Sequence, residues 1–178
     1  MAGSRSTFLS VRDRLPVCWD AMGHTHSIQL ATRADALAIA QMSRDLIEHG
    51  LGWSWTAPRV LRSIDDADTN VAVMRDPELG LAAFGLMKYQ EHAAHLLLLA
   101  VQPLHQRRGL GRALVGWLEA CAGVAGVATI HLEAREGNAA ARAFYARLGY
   151  QEVQQVAGYY SGREASVRLV RRLGASRD

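Results

Sequence analysis

The sequence predicts an α/β domain built on a mixed, mostly antiparallel sheet of about seven strands flanked by about four helices. Three observations lead there. The periodic segments read in the order strand, two helices, three strands, helix, strand, helix, two strands. The three central strands are separated only by the turns Asp76-Pro77-Glu78-Leu79-Gly80 and Gln90-Glu91, and such short connections join antiparallel neighbours. The fourth and fifth strands are joined through a helix, and a strand–helix–strand crossover makes its two strands parallel.

Each element has its own signal. Ser27 to Ala31 alternates polar and apolar residues, and Thr32 or Asp35 supplies an N-cap for the helix that follows. In that helix Leu37, Ile39, Ala40, Met42, Leu46 and Ile47 form a broad apolar face, and Gly50 is expected to end it. A loop with two tryptophans, Trp53 and Trp55, precedes a shorter helix over roughly Pro58 to Ile64 and an acidic turn, Asp65-Asp66-Ala67-Asp68. Val71 to Met74, Leu81 to Tyr89 and His92 to Val101 are the central strands. Leu110, Leu114, Trp117, Leu118 and Cys121 recur at helical spacing until Gly123 and Gly126 break the pattern, and Thr129 to Ala134 returns to strand. Asn138 caps a helix over Ala139 to Leu148, with Gly149 after its end. Tyr150 to Val156 and Ala165 to Arg171 are the last strands, with a loop from Gly158 to Gly162 between them.

Composition narrows the classes. The 178 residues, 49% hydrophobic and 21% charged, suit one globular domain over residues 25–178, and residues 1–24 read as a flexible N-terminal arm. No apolar run approaches the about 18 residues of a membrane span, and the arm has no apolar stretch of signal-peptide type. The two cysteines, Cys18 and Cys121, lie one in the arm and one in a helix, so a reducing compartment, the cytoplasm, is expected. The net charge of +3 is modest, and three arginines gather at one turn, which fits a phosphorylated small molecule better than a nucleic acid.

That turn is the informative stretch. Between the strand ending at Val101 and the next helix stand Gln106-Arg107-Arg108-Gly109-Leu110-Gly111-Arg112. The first N–H groups of a helix have no intrahelical partner and sit at the positive end of its dipole, so they form an anion site that glycine leaves open. A dinucleotide fingerprint is disfavoured because its third glycine position is Leu114, and a phosphate loop because no Gly-Lys-Ser/Thr follows.

At these residues the chain resembles the GNAT N-acetyltransferase family, whose Gln/Arg-x-x-Gly-x-Gly/Ala motif stands here as Gln106 to Gly111. The stretch Leu132 to Tyr150 is similar to the family's second motif, with Asn138, the Phe144-Tyr145 pair and Gly149-Tyr150. In motif the chain is nearest to the ribosomal-protein N-terminal acetyltransferases. The resemblance implies a sheet splayed into a V between strands 4 and 5, with acetyl-CoA in the gap. Main-chain groups of Leu99, Ala100 and Val101 would pair with its pantetheine arm, and the amides and side chains from Gln106 through Arg107, Arg108, Gly109, Leu110 and Gly111 to Arg112 would hold the pyrophosphate. Asn138 would touch the arm as well as cap its helix. The oxyanion would rest on an N–H near Ala100 or Val101.

Transfer to an amine requires a base for the amine and an acid for the departing thiolate. The resemblance assigns the acid to Tyr145 and the base to Glu133, twelve residues earlier. Strand alternation puts His131 on the same face as Glu133 and keeps it as a second candidate. The acceptor is expected between the Trp53/Trp55 loop and Tyr159-Tyr160, the latter similar to the peptide-binding tyrosines of protein N-terminal acetyltransferases. The aspartate that follows the glutamate in that family segment is missing after Glu164, so a protein N-terminus, a lysine and a small-molecule amine all remain acceptors, and a non-catalytic acyl-CoA sensor is the remaining alternative. No metal is called for, and the sequence is compatible with a homodimer.

Overall fold

The structure, a computed structural model, describes residues 27–160 and 164–174, with residues 157–160 and 164 as backbone only. Along the chain come β1 (Gln29–Leu30), α1 (Ala36–Leu46), α2 (Ala57–Asp65), β2 (Thr69–Asp76), β3 (Gly80–Tyr89), β4 (Ala93–Val101), α3 (Leu110–Val124), β5 (Thr129–Arg135), α4 (Ala139–Arg147), β6 (Gln151–Tyr160) and β7 (Glu164–Arg172). The strands make one seven-stranded sheet in the order β1-β2-β3-β4-β5-β7-β6. All neighbours are antiparallel except β4 and β5, which the α3 crossover makes parallel. The expected mixed sheet and its four helices are therefore present. Residues 1–24 and Cys18 lie outside the described residues, as do 161 and 162 of the expected 158–162 loop.

Two boundaries differ from the sequence reading. Helix α1 stops at Leu46 and does not run to Gly50, because the N–H groups of Ile47 and Glu48 both donate to Ser43 O, closing the last turn, and the Glu48 side chain turns onto the loop beyond. Strand β6 continues to Tyr160, past the loop expected from Gly158, and Tyr160 pairs with Glu164 of β7. At the start of α1, Asp35 Oδ2 accepts from Thr32 N at 2.7 Å and Thr32 Oγ1 at 2.9 Å, so both capping candidates act together.

Helices cover both faces of the sheet. Under α3, Leu110, Leu114, Trp117, Leu118 and Cys121 pack with Ala94 and Leu96 of β4, with Ile130 and Leu132 of β5, and with Tyr145 and Tyr150. Under α1 and α2, Ile39, Ala40 and Val60 pack with Val71, Phe84, Leu86, Leu98 and Ala100. Side chains such as Trp117, Phe84 and Ile39 are withdrawn from solvent almost completely, each contributing about 1.5–3 kcal/mol. Among the described residues, no helix is long and apolar enough to cross a membrane.

Two features of β4 position the site. Its pairing with β5 covers only Ala93–Thr129, Ala94–Ile130 and His95–His131, after which the two strands part. Next to the last pair, the β3–β4 register slips between Leu86–Leu98 and Met87–Leu96, leaving Leu97 as an extra residue in β4. The bulge reverses the facing of the strand. Ala94 and Leu96 belong to the core under α3, whereas Leu98 and Ala100 belong to the core under α1 and α2.

Candidate functional site

The parting of β4 and β5 opens a cleft of about 820 Å³ that reaches both faces of the sheet. From Leu96 onward the β5-facing edge of β4 has no strand partner, so its main-chain groups face the gap. Unpaired backbone in an apolar setting needs a partner, and an extended chain bearing amide groups would supply one. Gln106 Nε2 donates to Val101 O at 3.1 Å and closes the far end of that edge.

Beyond it the chain makes the turn into α3. Arg107 has a φ of 63° and Gly109 a φ of 86°, so the turn depends on two left-handed residues, one of them not glycine. The first helical bond runs from Ala113 N to Gly109 O, which leaves the N–H groups between them pointing out of the helix start. The two glycines serve different ends. A Cβ on Gly109 would meet only open space, and its role is the left-handed turn; a Cβ on Gly111 would lie 3.4 Å from Phe144 Cζ and 3.5 Å from Val101 Cγ2, so here glycine brings α3 close to α4 and β4. Arg107, Arg108 and Arg112 are exposed around this turn. Polyphosphate fits such a set of outward amides and guanidinium groups.

On the α3 face, α4 contributes Asn138 and Tyr145 to the cleft lining, together with Leu99 of β4. The Asn138 side chain accepts from Ala141 N at 3.0 Å, the cap that starts the helix. Tyr145 is 8% exposed and sits edge-on to Phe144 and Tyr150, with centroid distances of 5.0 and 5.6 Å. Ala100, Val101 and the turn residues from Gln106 to Arg112 lie outside the cleft lining itself, along the continuation of the same strand.

On the opposite face stands a charged cluster. Ile130, Leu132 and Ala134 face the α3 core, so His131, Glu133 and Arg135 project toward α1 and α2. Glu133, only 5% exposed at its side chain, bonds His95 Nε2 through Oε2 at 2.5 Å and accepts from Arg168 Nε at Oε1, 2.9 Å away. His95 and His131 stack at a centroid distance of 4.2 Å. Burial alone would push the Glu133 carboxyl up, but the bonds from His95 and Arg168 outweigh it and hold the group below its ordinary value. Burial, followed by the neighbouring His95, holds the His131 imidazole down.

The wall opposite β5 is the segment between α1 and α2. Glu48, buried, accepts from Ser54 N at 2.7 Å, Ser54 Oγ at 2.6 Å and Trp55 N at 3.1 Å. Arg135 Nη2 donates to Ile47 O and His49 O, each at 2.7 Å, and ties this segment to β5. The two tryptophans separate. Trp55 lines the cleft under the Arg59 guanidinium, 3.9 Å from its ring centroid, whereas Trp53 is 42% exposed outside the lining, beneath Arg44. Tyr159 and Tyr160 fall at the end of β6, and their side chains are outside the described part of the structure.

Sequence reasoning missed His95, Arg168, Glu48 and Arg59. The parity rule that put His131 beside Glu133 applies equally to His95, flanked by the buried Ala94 and Leu96; what it lacked was the parallel register that pairs His95 with His131.

With this geometry in place, comparison with known proteins is decisive at the level of family. The acetyltransferase (GNAT) family profile matches residues 39–150. The chain belongs to the GNAT family. Among curated proteins, the ribosomal protein bS18-alanine N-acetyltransferase of Escherichia coli K12 is 42% identical over 90 residues, which are 49% of this chain and 61% of that protein. The chain thus aligns with somewhat less than two thirds of the length of that relative. In solved structures, the ribosomal-protein-S18-alanine N-acetyltransferase from Escherichia coli superposes with a TM-score of 0.71 at 29% identity, covering 86% of this chain and 99% of that one. A nourseothricin acetyltransferase superposes with a TM-score of 0.56 at 25% identity, covering 59% of this chain and 65% of that one.

Proposed function

We propose that the protein is an acetyl-CoA-dependent N-acetyltransferase that passes an acetyl group directly to a primary amine in a ternary complex, with a protein N-terminus or lysine as acceptor. The observation that carries this reading is the parting of β4 from β5 after the His95–His131 pair, which makes a passage through the sheet with Tyr145 on one face and Glu133 on the other. Acetyl-CoA, when bound, supplies an activated thioester. Leu99, Ala100 and Val101 hold its arm through main-chain groups, and an N–H near Ala100 or Val101 meets the oxyanion. The turn from Gln106 to Arg112 takes the pyrophosphate, and Asn138 borders the arm. Tyr145 gives a proton to the departing sulfur, and the Glu133 cluster removes one from the amine.

The amine enters from the α1–α2 side, past Trp55, between the loop of Trp53 and Trp55 and the segment that bears Tyr159 and Tyr160. The bS18-alanine N-acetyltransferases named above favour a protein α-amine. A small-molecule amine is the second reading, favoured by the Trp55–Arg59 pair in the cleft wall and by the nourseothricin acetyltransferase likeness. The cytoplasm is the proposed location, in keeping with two cysteines placed one in the N-terminal arm and one, Cys121, buried in α3.

Thiol release from acetyl-CoA, measured against a panel of peptides with free N-termini, lysine peptides and small amines, tests the reading. Turnover is expected with α-amine peptides. Binding of acetyl-CoA without thiol release on any acceptor would replace the enzyme reading with that of an acyl-CoA sensor.

A further inference from the structure

We propose that His95 is the group that takes the proton from the acceptor amine, and that Glu133 is its positioning carboxylate. The inference rests on the reading of the protein as an N-acetyltransferase and assigns the base within that site.

The geometry of Glu133 argues against its acting directly. Both of its oxygens are engaged, one with His95 Nε2 and the other with Arg168 Nε, and its side chain is 5% exposed. A carboxylate stabilised in this way gives up little on staying ionised and has little affinity for a further proton. His95 is differently placed. Its side chain is 23% exposed and lines the cleft, its Nε2 is taken by the carboxylate, and its Nδ1 has no hydrogen-bond partner among the described residues. A buried carboxylate on one ring nitrogen fixes Nε2 as the protonated position, leaves Nδ1 as the lone pair, and stabilises the imidazolium once it forms. A histidine poised in this way is better matched than a carboxylate to an ammonium near neutral pH.

The neighbours of His95 are consistent with one added charge at a time. His131 stacks on it from β5, and burial, followed by His95 itself, holds the His131 imidazole pKa down, which disfavours charge on both rings at once. Lys88 stands opposite on β3, and its ammonium is paired with Asp66 at 3.0 Å. Arg168 of β7 is spent on Glu133, and Arg135 of β5 on the carbonyls of Ile47 and His49. Across the cleft, the segment between α1 and α2 presents Glu48, bound to its own loop, together with His49 and, from α2, Arg59 over Trp55.

The steps balance as follows. The acceptor ammonium loses one proton to His95 Nδ1, and the freed nitrogen pair forms a bond to the thioester carbon. On collapse the carbon–sulfur bond breaks, its electron pair goes to sulfur, and the thiolate takes the Tyr145 phenol proton. The new amide nitrogen sheds its surplus proton to restore the phenol, and His95 returns its proton to solvent.

The test begins with wild-type protein on an acceptor that gives turnover, and compares His95→Gln with Glu133→Gln. In His95→Gln, kcat is expected to fall about 10²-fold or more. The acid limb of the pH–rate profile should vanish, while acetyl-CoA affinity stays within about twofold. Retention of kcat, or a fall in kcat with the acid limb unchanged, overturns the base role. Nitrogen-15 NMR of the imidazoles gives a readout independent of turnover: Nε2–H tautomer at His95 with a strongly deshielded proton that moves upfield in Glu133→Gln supports the pair, and an Nδ1–H tautomer overturns it. Wild-type protein that releases no thiol on any acceptor refutes the functional reading, and the NMR result still decides the pair.

Discussion

Replacing Glu48 with alanine should loosen the acceptor wall more than it damages the core. The carboxylate is 7% exposed and receives Ser54 N, Ser54 Oγ, Trp55 N and, at 3.3 Å, Ser43 Oγ. A hydrogen bond to a charged group is worth about 1.5–3 kcal/mol net, but the four do not add. Ser54 is exposed and recovers water, so its two bonds are partly replaced. Trp55 is buried, and its N–H loses its acceptor outright. The expected loss is about 3 kcal/mol for Glu48→Ala, and about 1–2 kcal/mol for Glu48→Gln, which keeps an acceptor oxygen but not the charge. In a chain of this size about 3 kcal/mol corresponds to a Tm lower by about 6–12 °C, read by circular dichroism melts. Because this loop carries Trp55 and abuts Arg59, the acceptor KM should rise several-fold while acetyl-CoA affinity, measured by calorimetry, is unchanged. An alanine variant that melts within about 2 °C of wild type would show that the four bonds do not order the loop.

Three further outcomes follow from the geometry. Tyr145→Phe should lower kcat about 10²-fold with acetyl-CoA affinity nearly intact, and steady-state kinetics with unaltered kcat would remove the acid role. Gly111→Ala should be tolerated, because an added Cβ meets Phe144 and Val101 at 3.4–3.5 Å, whereas Gly111→Leu should cost about 1–3 kcal/mol in urea unfolding by forcing α3 from α4. Acid should weaken the fold in two stages. The lowered His131 pKa means that the unfolded chain binds the proton first, so stability declines as pH falls below about 6.5; the lowered Glu133 pKa adds a second decline below about 4.3. His131→Gln should therefore flatten the change in urea midpoint between about pH 7.5 and 5.5, and an unchanged slope would refute the assignment.

The elements that local chemistry determines were readable from the chain. Asn138 caps α4 through Ala141 N, Gly149 follows its end with a φ of 88°, and the helical spacing of Leu110, Leu114, Trp117 and Leu118 marks the face of α3 that is buried. What was less readable depended on partners far away in sequence. Glycine at 50 marked a left-handed residue correctly, yet α1 ends earlier because Glu48 is drawn to Ser54 and Trp55. Likewise, nothing near Trp53 and Trp55 distinguishes the ring that lines the cleft from the one left outside.

The bulge is the clearest case, and the site depends on it. Leu96, Leu97, Leu98 and Leu99 are chemically identical, so no local signal says which of them is the extra residue. The choice is made by β3, which pairs Met87 with Leu96 and Leu86 with Leu98. Ahead of that slip, the odd-numbered His95 faces α1 and α2 with Glu133; after it, the odd-numbered Leu99 and Val101 pack on the α3 side near Gly111. An unbroken alternation would have placed all three on one face. With the extra residue, the same strand presents a proton acceptor to the face where the amine is proposed to enter and an unpaired edge to the thioester arm. The point where β4 leaves β5 joins the two faces, and His95, the last residue of β4 still paired to β5, stands at it; the proton transfer that the resemblance alone had assigned to Glu133 is for that reason proposed for His95.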